Sequence, residues 1–289
     1  MDIRNIQKTG RMYYVYLPTN WVKKHGISSS SKVSVEQNST GSLTIAPELI
    51  EKKLKSIELS VNEENIQILQ KLIMACYINP ANSFKIKLKT EMDVARLLQQ
   101  KKLLSIELVE MDKKAIICES NISLDAPELL LKTMVRKAKN LLMLMLKDYD
   151  RELIERYEEE IDRSKILIEK SVISGLTYNR ITKLKMIELH YISLLAKSLE
   201  RAIDHLIHIR AEDSEFLTTL VEPFEAVREL VENIDSLNYA SGLELVRKVE
   251  KIPFVEPTNV DSAHKSRIKQ YLADMSEVLL DWAITKEIN

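Results

Sequence analysis

A chain of 289 residues, 45% apolar and 29% charged, has the composition of an ordinary folded protein and the length for two or three domains. The formal charge of −1 excludes a chain that is basic or acidic throughout, and every apolar stretch is too short and too interrupted by charge to span a bilayer. Cys76 and Cys118 belong to no CxxC pair, and Met1 opens onto a polar segment with no signal-peptide pattern, so free thiols and a cytoplasmic protein without membrane insertion are expected.

Three of the five glycines (Gly10, Gly26, Gly41) fall early, so a turn-rich unit opens the chain. Ile3 to Thr9 is strand-like, and Gly10 and Arg11 form a turn. Met12 to Leu17 is rich in the aromatic and β-branched residues that strands favour. Pro18 ends that strand. Thr19 or Asn20 can cap a short helix, Trp21 to His25, which Gly26 closes. Lys32 to Glu36 and Ser42 to Ala46 alternate around a turn at 38–41. So small a unit has too little apolar surface to hold a core alone, which predicts pairing with a second copy of itself. Its first 31 residues carry Arg4, Lys8, Arg11, Lys23 and Lys24 against Asp2 alone, a local basic excess that suits an anionic partner.

The next segment changes rhythm. Ile57 to Val61 reads as a strand, Glu63 to Tyr77 as a helix with Ile66, Leu69, Ile73 and Cys76 on one face, and Phe84 to Leu88 as a half-buried strand. Asp93 to Leu103 is helical, and Ile106 to Met111 with Ala115 to Cys118 forms a hairpin. The order β-α-β-α-β-β predicts a small split α+β sandwich with no catalytic pattern, a spacer or dimerisation domain.

Everything beyond is helical. The first helix, capped by Ser123 or Asp125, runs to about Asp148, and the second runs from Asp150 to Ile173 and stops near Gly175. The third, Thr182 to Ala211, aligns Leu184, Ile187, Tyr191, Leu195, Leu199, Ile203 and Leu206. The fourth, Ser214 to Glu250, has a possible break near Gly242. The last, Asp261 to Lys286, aligns Ile268, Leu272, Met275, Leu279 and Trp282. Long amphipathic helices with short links predict an antiparallel bundle. The expected organisation is α+β and multidomain, with boundaries at 1–50, 51–121 and 122–289.

The string RNIQKTGRMYYVYLPTNWVKKHGISSSSKVSVEQNSTGSLTIAP resembles the AbrB/SpoVT swapped-hairpin family in the order and spacing of its strands, turn and short helix. That resemblance implies an intertwined homodimer whose paired hairpins form a barrel-like unit with a basic face on DNA. Arg4, Lys8, Arg11, Lys23 and Lys24 are the candidate DNA contacts. Each cation that neutralises a phosphate releases a counterion. Arginine also forks onto a guanine edge, which favours Arg11, in the turn, and then Arg4 as base contacts. A solvated basic face and a toxin-neutralising module remain the other readings.

The segments DRELIERYEEEIDRSKILIEKSV and LERAIDHLIHIRAE look like one PhoU repeat, and the whole chain is similar to archaeal PhoU-like regulators. Only one repeat is clear, and the C-terminal helices look like an incomplete second. The resemblance implies E/D-x-x-x-D motifs that hold metal on the bundle surface, here Glu158 with Asp162 and Glu200 with Asp204. Carboxylates four apart share a helix face, and oxygen donors suit Mg or Mn; His205 or His208 could add nitrogen and favour Zn or Fe. A plain acidic face is the alternative, because 43 acids in this length give about six such pairs by chance. Asp274, Glu277 and Asp281 form a further candidate, and His190 and His205 could equally be satisfied histidines near the core.

No P-loop, dinucleotide-binding glycine pattern, GxSxG or paired Cys and His is visible, so no catalytic residues are assigned and the chain is not read as an enzyme. The function expected is a DNA-binding transcriptional regulator that couples phosphate status, or a related signal, to gene expression. The alternative is an adaptor that binds a phosphate transporter or signalling partner without specific DNA binding.

Overall fold

The computed structural model describes residues 3–37, 41–47, 56–81, 83–91, 108–111, 113–119, 126–178 and 184–288. It is α+β, mostly helical, and divides into two compact units, Met1–Leu54 and Lys55–Asn289.

The first unit holds two antiparallel hairpins and one helical turn. Strands β1 (Gln7–Thr9) and β2 (Met12–Tyr14) pair through the Gly10 turn, and β3 (Val33–Gln37) pairs with β4 (Leu43–Pro47). Gly10, Gly26 and Gly41 all have positive φ, the left-handed conformation that a missing Cβ permits. Helix α1 (Thr19–Lys24) starts without the cap expected from Thr19 or Asn20. Pro18 occupies the cap position, so no side chain accepts there, and Gly26 follows the helix end as expected. None of the described residues of this unit is buried: Ile3, Ile6, Met12, Tyr13 and Tyr16 are all exposed.

The second unit opens with a four-stranded sheet in the order β5-β6-β8-β7, made of β5 (Ile57–Val61), β6 (Ser83–Leu88), β7 (Leu108–Met111) and β8 (Ala115–Glu119). The pair β5 and β6 is parallel, joined through α2 (Ile66–Ile78), whose Asn65 side chain accepts from the Gln67 N–H. The helix expected at Asp93 to Leu103 lies outside the described residues, as do Ser123 and Asp125. Leu69, Ile73, Tyr77, Phe84, Ile86, Ile116 and both cysteines form one small core.

Six helices follow: α3 (Pro127–Lys147), α4 (Arg151–Tyr178), α5 (Met186–Leu206), α6 (Ser214–Glu232), α7 (Tyr239–Glu250) and α8 (Val260–Ile288). They pack as a bundle with one continuous core, in which α5 lies along α8 and α3 lies along α4 and α6. No helix among the described residues is long and apolar enough to cross a membrane. The sheet is fastened to this bundle. Ile166 of α4 enters its core, and the buried Lys170 ammonium donates to the Tyr77 carbonyl at 2.9 Å while lying 3.9 Å above the Tyr77 ring.

Three sequence expectations fail in the bundle for packing reasons. Helix α4 runs through Gly175, where the missing side chain admits Leu189: a Cβ there would meet its Cδ1 at 2.9 Å. The long fourth helix is two helices, broken at Asn233 to Asn238 and not at Gly242. Gly242 is instead buried inside α7, against the Leu280 backbone, and a Cβ would lie 3.1 Å from that Cα. Ile187 is exposed, and Leu189 and Ile192 take its place in the α5 core stripe.

The two interior glycines respond differently to alanine. Alanine gains about 1 kcal/mol of helix propensity at either. At Gly242 the opposing atom is backbone and cannot give way, so overpacking of about 1–3 kcal/mol outweighs or cancels that gain, and Gly242→Ala is expected to cost about 0–2 kcal/mol net by urea unfolding. At Gly175 the opposing atom is the flexible tip of Leu189, so Gly175→Ala should cost less, and equal losses would refute the distinction.

A charged cluster ties α3 to α6. Arg136 pairs with Glu232, Lys139 with Glu225, and Arg228 bridges both acids. Hydrogen bonds from Arg228 and Lys139 hold the Glu225 carboxyl down at about 2. A depressed carboxyl stabilises the fold fully above its unfolded value and loses that contribution as pH falls through the folded value. Melting temperature should therefore carry a Glu225 contribution that disappears between about pH 5 and 2. Solvent screening limits it to about 1 kcal/mol. Glu225→Gln should remove that part of the acid sensitivity, and an unchanged profile would show that the cluster is neutral to stability.

Candidate functional site

Two places carry the residues of interest, one in each unit. In the bundle, α4 and α5 run antiparallel. Gly175 near the end of α4 meets Leu189 near the start of α5, and the Tyr149 hydroxyl just before α4 donates to the Ile209 carbonyl just after α5 at 3.2 Å. Each helix buries an apolar stripe, Ile154, Ile161 and Ile168 on α4, and Leu199, Ile203 and Leu206 on α5. Glu158 and Asp162 follow Tyr157 and Ile161 on α4, and Asp204 follows Ile203 on α5, so each acid sits at the shoulder of its stripe.

The packing of the two stripes brings Glu158, Asp162 and Asp204 together, each half-buried, with one oxygen of each within 4.8 Å of the others. Glu200, half-buried one turn earlier on α5, lies outside that group. Oδ1 of Asp162 is cut off from solvent. Like charges so close repel, more strongly where water is excluded, and a cation between them would relieve the repulsion. The oxygens around an octahedral Mg²⁺ lie about 3 Å apart in adjacent positions, so modest side-chain rotations would close this group onto an ion. All donors are carboxylate oxygens, which suits a hard dication better than a soft one. Among the described residues, Asp274, Glu277 and Asp281 form no comparable group.

The histidines divide. His190 is exposed, with its ring 6.1 Å from that of Tyr191. His205 and His208 gather with His264 of α8 rather than joining the acids. Burial pushes the His205 and His208 imidazoles down, and their histidine neighbours push the same way, so both are neutral at neutral pH. His264 could not be found from sequence, since it lies 59 residues from the ring it touches and no motif links them.

In the first unit all five candidate DNA contacts are exposed: Arg4 before β1, Lys8 on β1, Arg11 in the turn, and Lys23 and Lys24 in the last turn of α1. Arg4 has a task that sequence did not reveal. Its guanidinium donates to the carbonyls of Tyr16 and Leu17, at 3.2 and 3.4 Å, and ties the chain ahead of β1 to the chain after β2. The Lys8 ammonium lies 5.4 Å from the centre of the Tyr13 ring, across the hairpin.

No protein-family model, no curated protein and no solved structure matches the chain.

Proposed function

We propose that the chain is a DNA-binding transcriptional regulator of the archaeal PhoU-like kind. In this reading the first unit is an AbrB/SpoVT-like swapped-hairpin domain that binds DNA as a homodimer. The helical bundle is a PhoU-like sensor of phosphate status or a related signal, loaded with a divalent cation at Glu158, Asp162 and Asp204.

The observation that carries this reading is the contrast within the first unit. The first hairpin and the chain flanking it expose Ile3, Ile6, Met12, Tyr13 and Tyr16, and none of the unit's described residues is buried. A unit held by so little of its own core needs a partner, and a second copy supplies one with matching strands. The same unit displays Lys8, Arg11, Lys23 and Lys24 to solvent, and pairing doubles that charge for a polyanion.

Light scattering on the full chain is expected to give twice the 33.4 kDa of one chain at micromolar concentration. A truncated chain beginning at Lys55 is expected not to pair in this way. A monomeric full chain would refute the exchanged-hairpin dimer. The function itself is tested by selecting binding sites from a random DNA pool and titrating the full chain on them at low salt. Failure to bind any DNA there would turn the reading to an adaptor that engages a transporter or signalling protein through the bundle.

A further inference from the structure

A cluster of three histidines lies where α5 ends and α8 begins. His205 on the last turn of α5 and His264 on the second turn of α8 bring their Nδ1 atoms to 2.9 Å. His208, in the turn after α5, sets its ring centre 4.6 Å from that of His264. Tyr271, two turns further along α8, stacks on His205 with centres 5.8 Å apart and planes 6° apart, which fixes that ring. We propose that His205, His208 and His264 bind a transition-metal dication of the zinc type, at a site separate from the carboxylate group.

The hydrogen bond between His205 and His264 requires one Nδ1–H to donate to the other ring's lone pair. A metal ion in place of that proton would take both lone pairs. Two nitrogen ligands of tetrahedral zinc lie about 3.3 Å apart, so the rings need to part by only about half an ångström. The three rings do not yet bring one nitrogen each within 4.8 Å of the others, so the exposed His208 has to turn inward to join the pair. Imidazole donors without carboxylate select zinc, nickel or copper over magnesium and manganese. Two of the cations around the site are paired, Arg151 with Glu155 and Lys265 with Asp213 and Asp261, while Arg267 donates to the neutral Gln270 and keeps its charge. Asp204, next to His205 in the chain, points to the other group, because successive residues lie about 100° apart around a helix.

The test is a Zn²⁺ titration of the full, untagged chain in millimolar Mg²⁺, which occupies the carboxylates. One zinc per chain should bind at micromolar concentration or tighter. His264→Ala and His208→Ala should each weaken it at least about tenfold, the smaller loss that even an outer partner of a metal site causes. Asp162→Asn should leave zinc affinity unchanged. Because His208 is exposed, its removal tests the site even if His264→Ala disturbs the bundle. Co²⁺ should give the visible absorption of a four-coordinate ion in the wild type and lose it in His208→Ala. No zinc binding at micromolar concentration overturns the proposal. So does zinc that leaves with Asp162→Asn but not with the histidine variants, which would place it among the carboxylates.

Discussion

Affinity for a selected DNA site is expected to fall by about 10³- to 10⁵-fold between 50 and 200 mM salt, the loss that goes with neutralising about six to ten phosphates. The range follows from which cations are at liberty to meet DNA. Arg4 is committed to the carbonyls of Tyr16 and Leu17. Lys8, Arg11, Lys23 and Lys24 remain, and two copies of those four fall within that range. Lys8→Ala should weaken every sequence alike and flatten the salt slope by about 1 for each phosphate it no longer neutralises. Arg11→Ala should in addition relax sequence preference, at about 1–3 kcal/mol on the preferred site, because an arginine fork reads a guanine edge. Arg4→Ala is expected to act differently again, by loosening the chain around the first hairpin and lowering stability. If Lys8→Ala and Arg11→Ala behave alike on all sequences, Arg11 reads no base. A slope near zero would mean that the basic excess is only a solvated surface.

Legibility in the sequence followed the range of the interaction. Local patterns carried far: Ile57 to Val61 reads directly as a strand, and the Ile268, Leu272, Met275, Leu279 and Trp282 stripe of α8 is buried throughout. Glycine misled wherever tertiary packing overrode its breaker character. Gly175 and Gly242 lie inside helices because another helix approaches them, and nothing in their neighbours announces Leu189 or Leu280. The true break beyond α6 was written in Asn233, Asp235, Ser236 and Asn238, a run of turn-forming residues. At the acids, spacing put Glu158 with Asp162 and Glu200 with Asp204. Which of the four meet is set by side-chain placement between two helices, and that brings Asp204 in without Glu200. The Arg4 hydrogen bonds and His264 were illegible for the same reason, since each joins atoms far apart in the chain.

The carboxylate group leads to a prediction that separates a three-acid site from the four-acid one read from sequence. Mg²⁺ or Mn²⁺ at about one hundred times its dissociation constant stabilises the folded state by about 2.7 kcal/mol if it binds only there. For a unit of this size that corresponds to a rise in melting temperature of about 5–10 °C. Asp162→Asn and Asp204→Asn should each abolish most of the rise. Glu200→Gln should retain most of the rise, because its carboxylate stands outside the group. Glu277→Gln, on an exposed turn of α8, should retain all of it. A Glu200→Gln variant as insensitive to metal as Asp204→Asn would restore the four-acid site. A wild-type melting temperature that neither Mg²⁺ nor Mn²⁺ moves would leave Glu158, Asp162 and Asp204 as an acidic face alone, and would remove the cation from the proposed sensor.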